Sequence, residues 1–122
     1  MKKLFSFLLA ATSLVGCQSN TAFKSVDAQQ FAEVIANKDV QLVDARTPEE
    51  YSEGHIPGAV NIDVKSADFD TQIATLNPDR PVAVYCRSGR RSKLAAERMT
   101  NAGLQVTELS EGILSWKGEV VK

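Results

Sequence analysis

Residues 81–85, Pro-Val-Ala-Val-Tyr, are an apolar run that leads straight into Cys86-Arg87-Ser88-Gly89-Arg90-Arg91-Ser92 and then into the helical pattern Lys93-Leu94-Ala95-Ala96-Glu97-Arg98-Met99. A strand feeds a tight loop and the loop feeds a helix. Successive N–H groups of such a loop can point inward, and the positive end of the helix adds to them, so the loop is built to cradle an anion. Cys86 occupies its first position. An ordinary thiol is only a few per cent ionised at neutral pH, and the thiolate is the nucleophile. Making the thiolate the majority form takes about 2.7 kcal/mol. A helix end offers about 0.3–2 kcal/mol and each charge-assisted N–H bond about 1.5–3 kcal/mol. The loop therefore suffices without a histidine base, even before Arg87, Arg90 and Arg91 are counted.

The rest of the chain repeats the alternation. Residues 22–26 read as a first strand, and Asp27-Ala28-Gln29-Gln30 as a capping box opening a helix whose Phe31, Val34 and Ile35 share one face. Residues 40–45 are a second strand, apolar as buried parallel strands are. Thr47-Pro48-Glu49-Glu50 starts the next helix with a threonine cap, proline at the first helical position and acids in the first turn. Adjacent glutamates point to different sides of a helix, so capping accounts for them better than paired carboxylate chemistry. Residues 54–58 are a turn, 59–63 a third strand, 66–76 a helix with Ile73 and Leu76 inward, and 77–81 a stop. The helix after the cysteine loop, read as 92–102, ends at Gly103 with Leu104 beyond; residues 105–109 form a last strand and 111–116 a turn into a short helix. This predicts an open parallel sheet of about five strands with helices on both faces, and sets Cys86 at a strand's carboxyl end, where such sheets bind ligands.

The first sixteen residues differ in kind. Lys2 and Lys3 precede the apolar run 4–14, and Leu14-Val15-Gly16-Cys17 closes it. This is expected to be an export signal, too short to span a bilayer as a mature helix. Its last four residues resemble the lipobox of bacterial lipoproteins. That resemblance implies a lipid anchor on Cys17, a tether over residues 17–21 and a periplasm-facing domain held at a membrane, with Gln18 favouring the outer membrane over the inner. Acylation of Cys17 would leave Cys86 as the only free thiol in an oxidising compartment, a liability unless it is used. Loss of residues 1–16 leaves 12 basic against 15 acidic residues, a balance that gives no field for nucleic acid. The remaining residues, 22–122, suffice for one domain with a core of its own.

Three stretches, Val43-Asp44-Ala45-Arg46-Thr47-Pro48-Glu49-Glu50-Tyr51, Gly54-His55-Ile56-Pro57-Gly58-Ala59-Val60-Asn61 and Cys86 to Ser92, together resemble a single-domain rhodanese, a thiosulfate sulfurtransferase-like fold. The resemblance implies that Cys86 attacks the outer sulfur of a small anionic donor such as thiosulfate, becomes a persulfide, and passes the sulfur to a thiol, a protein acceptor or cyanide. No cofactor is expected. In that family the histidine equivalent to His55 belongs to a structural turn. As the single histidine it also excludes a histidine-rich metal cluster. Asp44 and Arg46 are expected to brace the loop edge as an ion pair, and Met99 and Trp116 to pack.

Two other readings remain open on the residues alone. One is a phosphatase or arsenate reductase of related fold, whose cysteine loop closes on an arginine six positions on. Here that position is Ser92 and the nearest arginine is Arg91, so the loop is one residue shorter and suits a sulfur atom on cysteine better than a tetrahedral phosphate beside it. The other is a sulfur carrier or partner-binding module without turnover. Arg87, Arg90 and Arg91 are candidates to draw in an anionic donor, with solvated loop charge as the alternative for each.

Overall fold

The computed structural model describes residues 23–122, so the signal segment, Cys17 and the tether lie outside the described residues. Five strands, β1 (Lys24–Val26), β2 (Gln41–Asp44), β3 (Val60–Asn61), β4 (Val82–Tyr85) and β5 (Val106–Leu109), form one sheet in the order β1-β5-β4-β2-β3. Every pairing is parallel. Helices α1 (Ala28–Ile35), α2 (Pro48–Glu53), α3 (Phe69–Ile73) and α4 (Arg90–Asn101) alternate with the strands, and a single 3-10 turn, Ile113–Ser115, follows β5.

The period-two geometry of the central strand divides the core. Val82 and Val84 face one cluster with Val43, Val106, Phe69 and Ile73 of α3, and Ala95, Ala96 and Met99 of α4. Ala83 and Tyr85 face the other, with Leu42, Leu109, Phe31 of α1, Tyr51 of α2, and Trp116. Phe31 lies edge-on to both Tyr85 and Trp116, at ring separations of 6.4 and 6.2 Å. Full burial of a side chain such as Phe31 or Phe69 contributes about 1.5–3 kcal/mol, which holds a helix to each face.

The helix ends follow their cap chemistry. Gln30 donates its N–H to Asp27 at 2.8 Å and Glu50 donates to Thr47 at 3.2 Å, each within a reciprocal capping box. At the far end of α4, Leu104 N–H reaches Met99 O and Gly103 N–H reaches Thr100 O, a Schellman closure with Gly103 at φ 95°. Three elements depart most from the sequence reading, and the first is β3, read as 59–63 but only Val60–Asn61 long. Helix α3 covers only Phe69–Ile73, because the Asp63 and Ser66 side chains capture the N–H groups of Lys65 and Asp68 and fold residues 63–68 into turns. Helix α4 begins at Arg90, two residues before the expected start, because Gly89 enters the left-handed region at φ 104° and completes the loop there.

Candidate active site

Cys86 follows the central strand directly and is a free thiol, 1% exposed. The Gly89 N–H points back at its Sγ at 3.1 Å. Among the described residues no acceptor takes the N–H groups of Arg87, Ser88, Arg90, Arg91 or Ser92, so the loop presents donors with nothing to bind. This follows from the local sequence: only glycine adopts a φ of 104° at no steric cost, and that turn puts the start of α4 beside the sulfur.

The loop is locked from outside by the segment after β5. Ile113 donates its N–H to Cys86 O at 2.9 Å and Leu114 donates to Arg87 O at 3.2 Å. The two chains approach so closely that a Cβ at Gly89 would lie 1.9 Å from Ser110 O, and one at Gly112 would lie 2.1 Å from Arg87 O. Neither position can carry a side chain without moving backbone.

The three loop arginines divide. Arg87 and Arg90 are exposed at the rim. Arg91 turns toward α2, where its two terminal nitrogens meet the two Glu50 oxygens at 2.7 and 2.9 Å. Hydrogen bonding from Arg91 holds the Glu50 carboxyl well below the usual range, at about 2, and Glu50 in turn raises Arg91. Ser92 is fully buried with its hydroxyl on Glu108 at 2.6 Å, so its backbone, not its side chain, belongs to the cradle. Ser88 is exposed at the loop tip.

Asp44 and Arg46 brace the neighbouring loop, as their position at the end of β2 suggested. Arg46 donates to Asp44 through Nε at 3.0 Å and Nη2 at 2.7 Å, and to Gly54 O at 2.7 Å, while Asn61 secures Arg46 O at 2.8 Å. Burial, first, and the Asp44 charge push the Tyr85 phenol well above its usual range; its oxygen accepts the Ile56 N–H at 3.0 Å and stays a neutral structural group. His55 stacks on Tyr51 at 3.7 Å and places Nδ1 2.9 Å from Tyr51 O, which makes it part of the turn. Among the described residues no cluster of His, Cys, Asp and Glu is arranged to hold a metal ion.

Sequence reasoning missed two features. It assigned Glu50 to capping alone, whereas the same carboxylate also holds Arg91 from 41 positions away. It also passed over Glu108, a carboxylate with no exposed surface at the carboxyl end of β5. The available signal was the pairing of one acid inside an apolar strand, Val106-Thr107-Glu108-Leu109, with Ser92 and Lys93 in the first turn of the helix packed on it.

Comparison with known proteins agrees with this geometry. A family model described as "Rhodanese-like domain" matches residues 27–119. The chain is 33% identical over 98 residues to the thiosulfate sulfurtransferase GlpE of Shewanella oneidensis, covering 79% of this chain and 94% of that one. It is 38% identical over 97 residues to the HTH-type transcriptional regulator Rv0324 of Mycobacterium tuberculosis, of whose length it spans 42%, against 75% of its own. The crystal structure of a rhodanese-related protein from Thermoplasma volcanium superimposes with a TM-score of 0.72 at 30% identity, over 81% of this chain and 98% of that one. With the family model matching over most of the chain and a sulfurtransferase relative matched over nearly its whole length, this protein belongs to the rhodanese-like domain family.

Proposed function

We propose that this protein is a sulfurtransferase that moves a sulfane sulfur from a small anionic donor such as thiosulfate, through Cys86, to a thiol or cyanide. The observation that carries the reading is the Cys86 sulfur held 3.1 Å from the Gly89 N–H inside a loop whose other N–H groups have no acceptor among the described residues. In the first step the Cys86 thiolate attacks the outer sulfur of thiosulfate, an S–S bond forms as the donor's S–S bond breaks, and sulfite leaves with the electron pair. The persulfide anion left on Cys86 takes up the loop N–H groups. In the second step cyanide or a thiolate attacks the outer sulfur and the Cys86 thiolate departs, giving thiocyanate or a new persulfide. Arg87 and Arg90 supply positive potential at the rim for the approaching dianion. The commitment of Arg91 to Glu50 favours sulfur transfer over phosphate chemistry, because it withdraws the loop's last arginine from any bidentate grip on a phosphoryl group.

The same proposal includes a lipid anchor on Cys17 and a periplasm-facing position, in the outer membrane rather than the inner; what supports it is the lipobox-like sequence 14–17 behind a charged and apolar leader. Cys17→Ala is expected to move the protein from the detergent to the aqueous phase on partition. Unchanged partition sinks the anchor.

Intact-mass spectrometry tests the chemistry. A domain starting at Gln18 should gain one sulfur on incubation with thiosulfate and lose it to cyanide with release of thiocyanate, and Cys86→Ser should gain none. Absence of sulfur gain on a thiol that still alkylates readily would overturn the reading, and gain by Cys86→Ser would overturn the role of that residue.

A further inference from the structure

Glu108 is a charged group with no exposed surface, and the transfer chemistry does not use it. Its oxygens accept from Ser25 Oγ and from Ser92 Oγ at 2.6 Å, and Lys93 Nζ lies 3.2 Å from Oε1 as its ion-pair partner. Ser92 and Lys93 both lie in the first turn of α4. The Lys93 ammonium donates to Gly89 O at 3.3 Å and to Ser110 O at 2.9 Å while it pairs with the charge of Glu108. It therefore joins the end of β5, the segment that buttresses the loop, and Gly89 itself. The Ser92 hydroxyl lies 3.2 Å from the same Gly89 carbonyl. Both side chains that reach the Gly89 carbonyl are tied to one buried carboxylate, and Gly89 is the residue whose N–H meets the Cys86 sulfur.

From this arrangement we infer that Glu108 is a positioning residue for Cys86. It turns the half-exposed Lys93 inward and, with Lys93 and Ser92, fixes the Gly89 carbonyl, so that the Gly89 N–H stays aimed at sulfur. Two features separate this from ordinary packing. A lysine so near the surface would otherwise extend into water, where an ammonium is well hydrated. A carboxylate without exposed surface is tolerated only where cations and hydrogen-bond donors surround it, and here they all lead to the loop. The kinetic part of the inference rests on the sulfurtransferase reading; the effect on thiol reactivity does not.

The test uses Glu108→Gln, which keeps the shape and removes the charge, Lys93→Met, the double variant, in which neither charge is left without its partner, and Lys93→Arg, each checked for the folded state by its Tm. Cys86 alkylation by iodoacetamide at fixed pH should slow about fivefold in each of the first two. The double variant should be no slower than the slower single, because both act through one link. Lys93→Arg should recover most of the rate. In thiosulfate-to-cyanide transfer, kcat should fall in step with the alkylation rate while KM for thiosulfate stays within about twofold of wild type, since neither side chain touches the donor, and amide exchange over residues 86–92 should quicken. Alkylation at or above the wild-type rate in both single variants, or losses that multiply in the double, would overturn the inference. A wild-type protein that alkylates but takes up no sulfur would instead overturn the transfer reading, leaving the alkylation panel to decide the role of Glu108.

Discussion

Two neighbouring loops at the carboxyl edge of the sheet carry charge and use it in opposite ways. After β2, Asp44, Arg46, Asn61 and the Gly54 carbonyl satisfy one another, and both charged side chains are almost without exposed surface. After β4, one strand over, the loop keeps its backbone donors unspent and its Arg87 and Arg90 side chains in water. The contrast teaches that charge density does not mark a site. What marks it is donor capacity with no internal acceptor, next to a buried free thiol.

The comparison breaks most visibly at the brace. Asp44→Ala leaves Arg46 buried without its anion and is expected to cost about 3–5 kcal/mol of stability, a fall of well over ten degrees in Tm for a domain of this size. Transfer per folded molecule, measured below the new Tm, should stay within a fewfold of wild type. A variant that keeps its Tm but loses transfer would show that the two loops do not divide the labour in this way.

The next effect belongs to the cysteine loop. Gly89→Ala places a methyl against Ser110 O and forces a left-handed backbone on a residue that resists it. Sulfur transfer should drop about 100-fold, equivalent to about 2.7 kcal/mol, while stability falls by about 1–3 kcal/mol. Wild-type turnover would mean the Gly89 N–H is not needed at sulfur.

Glu50→Gln sharpens the comparison, since Glu50 serves both a helix cap and the cysteine loop. Its carboxyl sits at about 2 in the folded chain against an ordinary 4.5, so the folded state binds its proton less readily than the unfolded state does. The stabilisation is whole above about pH 4.5 and is lost as pH falls toward 2. Because the pair is partly open to solvent, Glu50→Gln should cost only about 1 kcal/mol at neutral pH and flatten the acid limb of the stability curve. An unchanged acid limb would show that the pair carries no stability.

The smallest effect is at the rim. Arg90→Ala, like Arg87→Ala, should raise KM for thiosulfate about twofold to threefold at low salt and leave kcat alone, with the difference fading as ionic strength rises. A loss in kcat would place that guanidinium on the reacting atoms instead.

Much of this was legible before any coordinates. The alternation of strands and helices, the capping box at Asp27 and the threonine cap at Thr47, the stop at Gly103 and the placing of Cys86 at a strand end are local or periodic signals, and those determine where elements begin and which way they face. The turns over residues 63–68 were misread because Asp63 and Ser66 offered the backbone nearer partners than a helix would. The Arg91 partner of Glu50 was invisible, and the burial of Glu108 only hinted at, for another reason. Arg91 stands 41 positions from Glu50, and β5 is covered by α4 on the face that holds Glu108, so each depends on which strands lie side by side. One-dimensional patterns carry the periods of a chain but not the order of its strands.

An all-parallel sheet has a direction, and here that direction separates a handle from a working end. Lys24 pairs with Thr107, and Thr107 with Ala83, so the chain enters β1 level with a residue three positions short of Cys86 and from the opposite edge. At about 3.3 Å per residue the entry lies roughly 10 Å below the thiol along the strands. The chain therefore enters the domain toward the amino ends of the strands, while the Cys86 loop stands at their carboxyl ends.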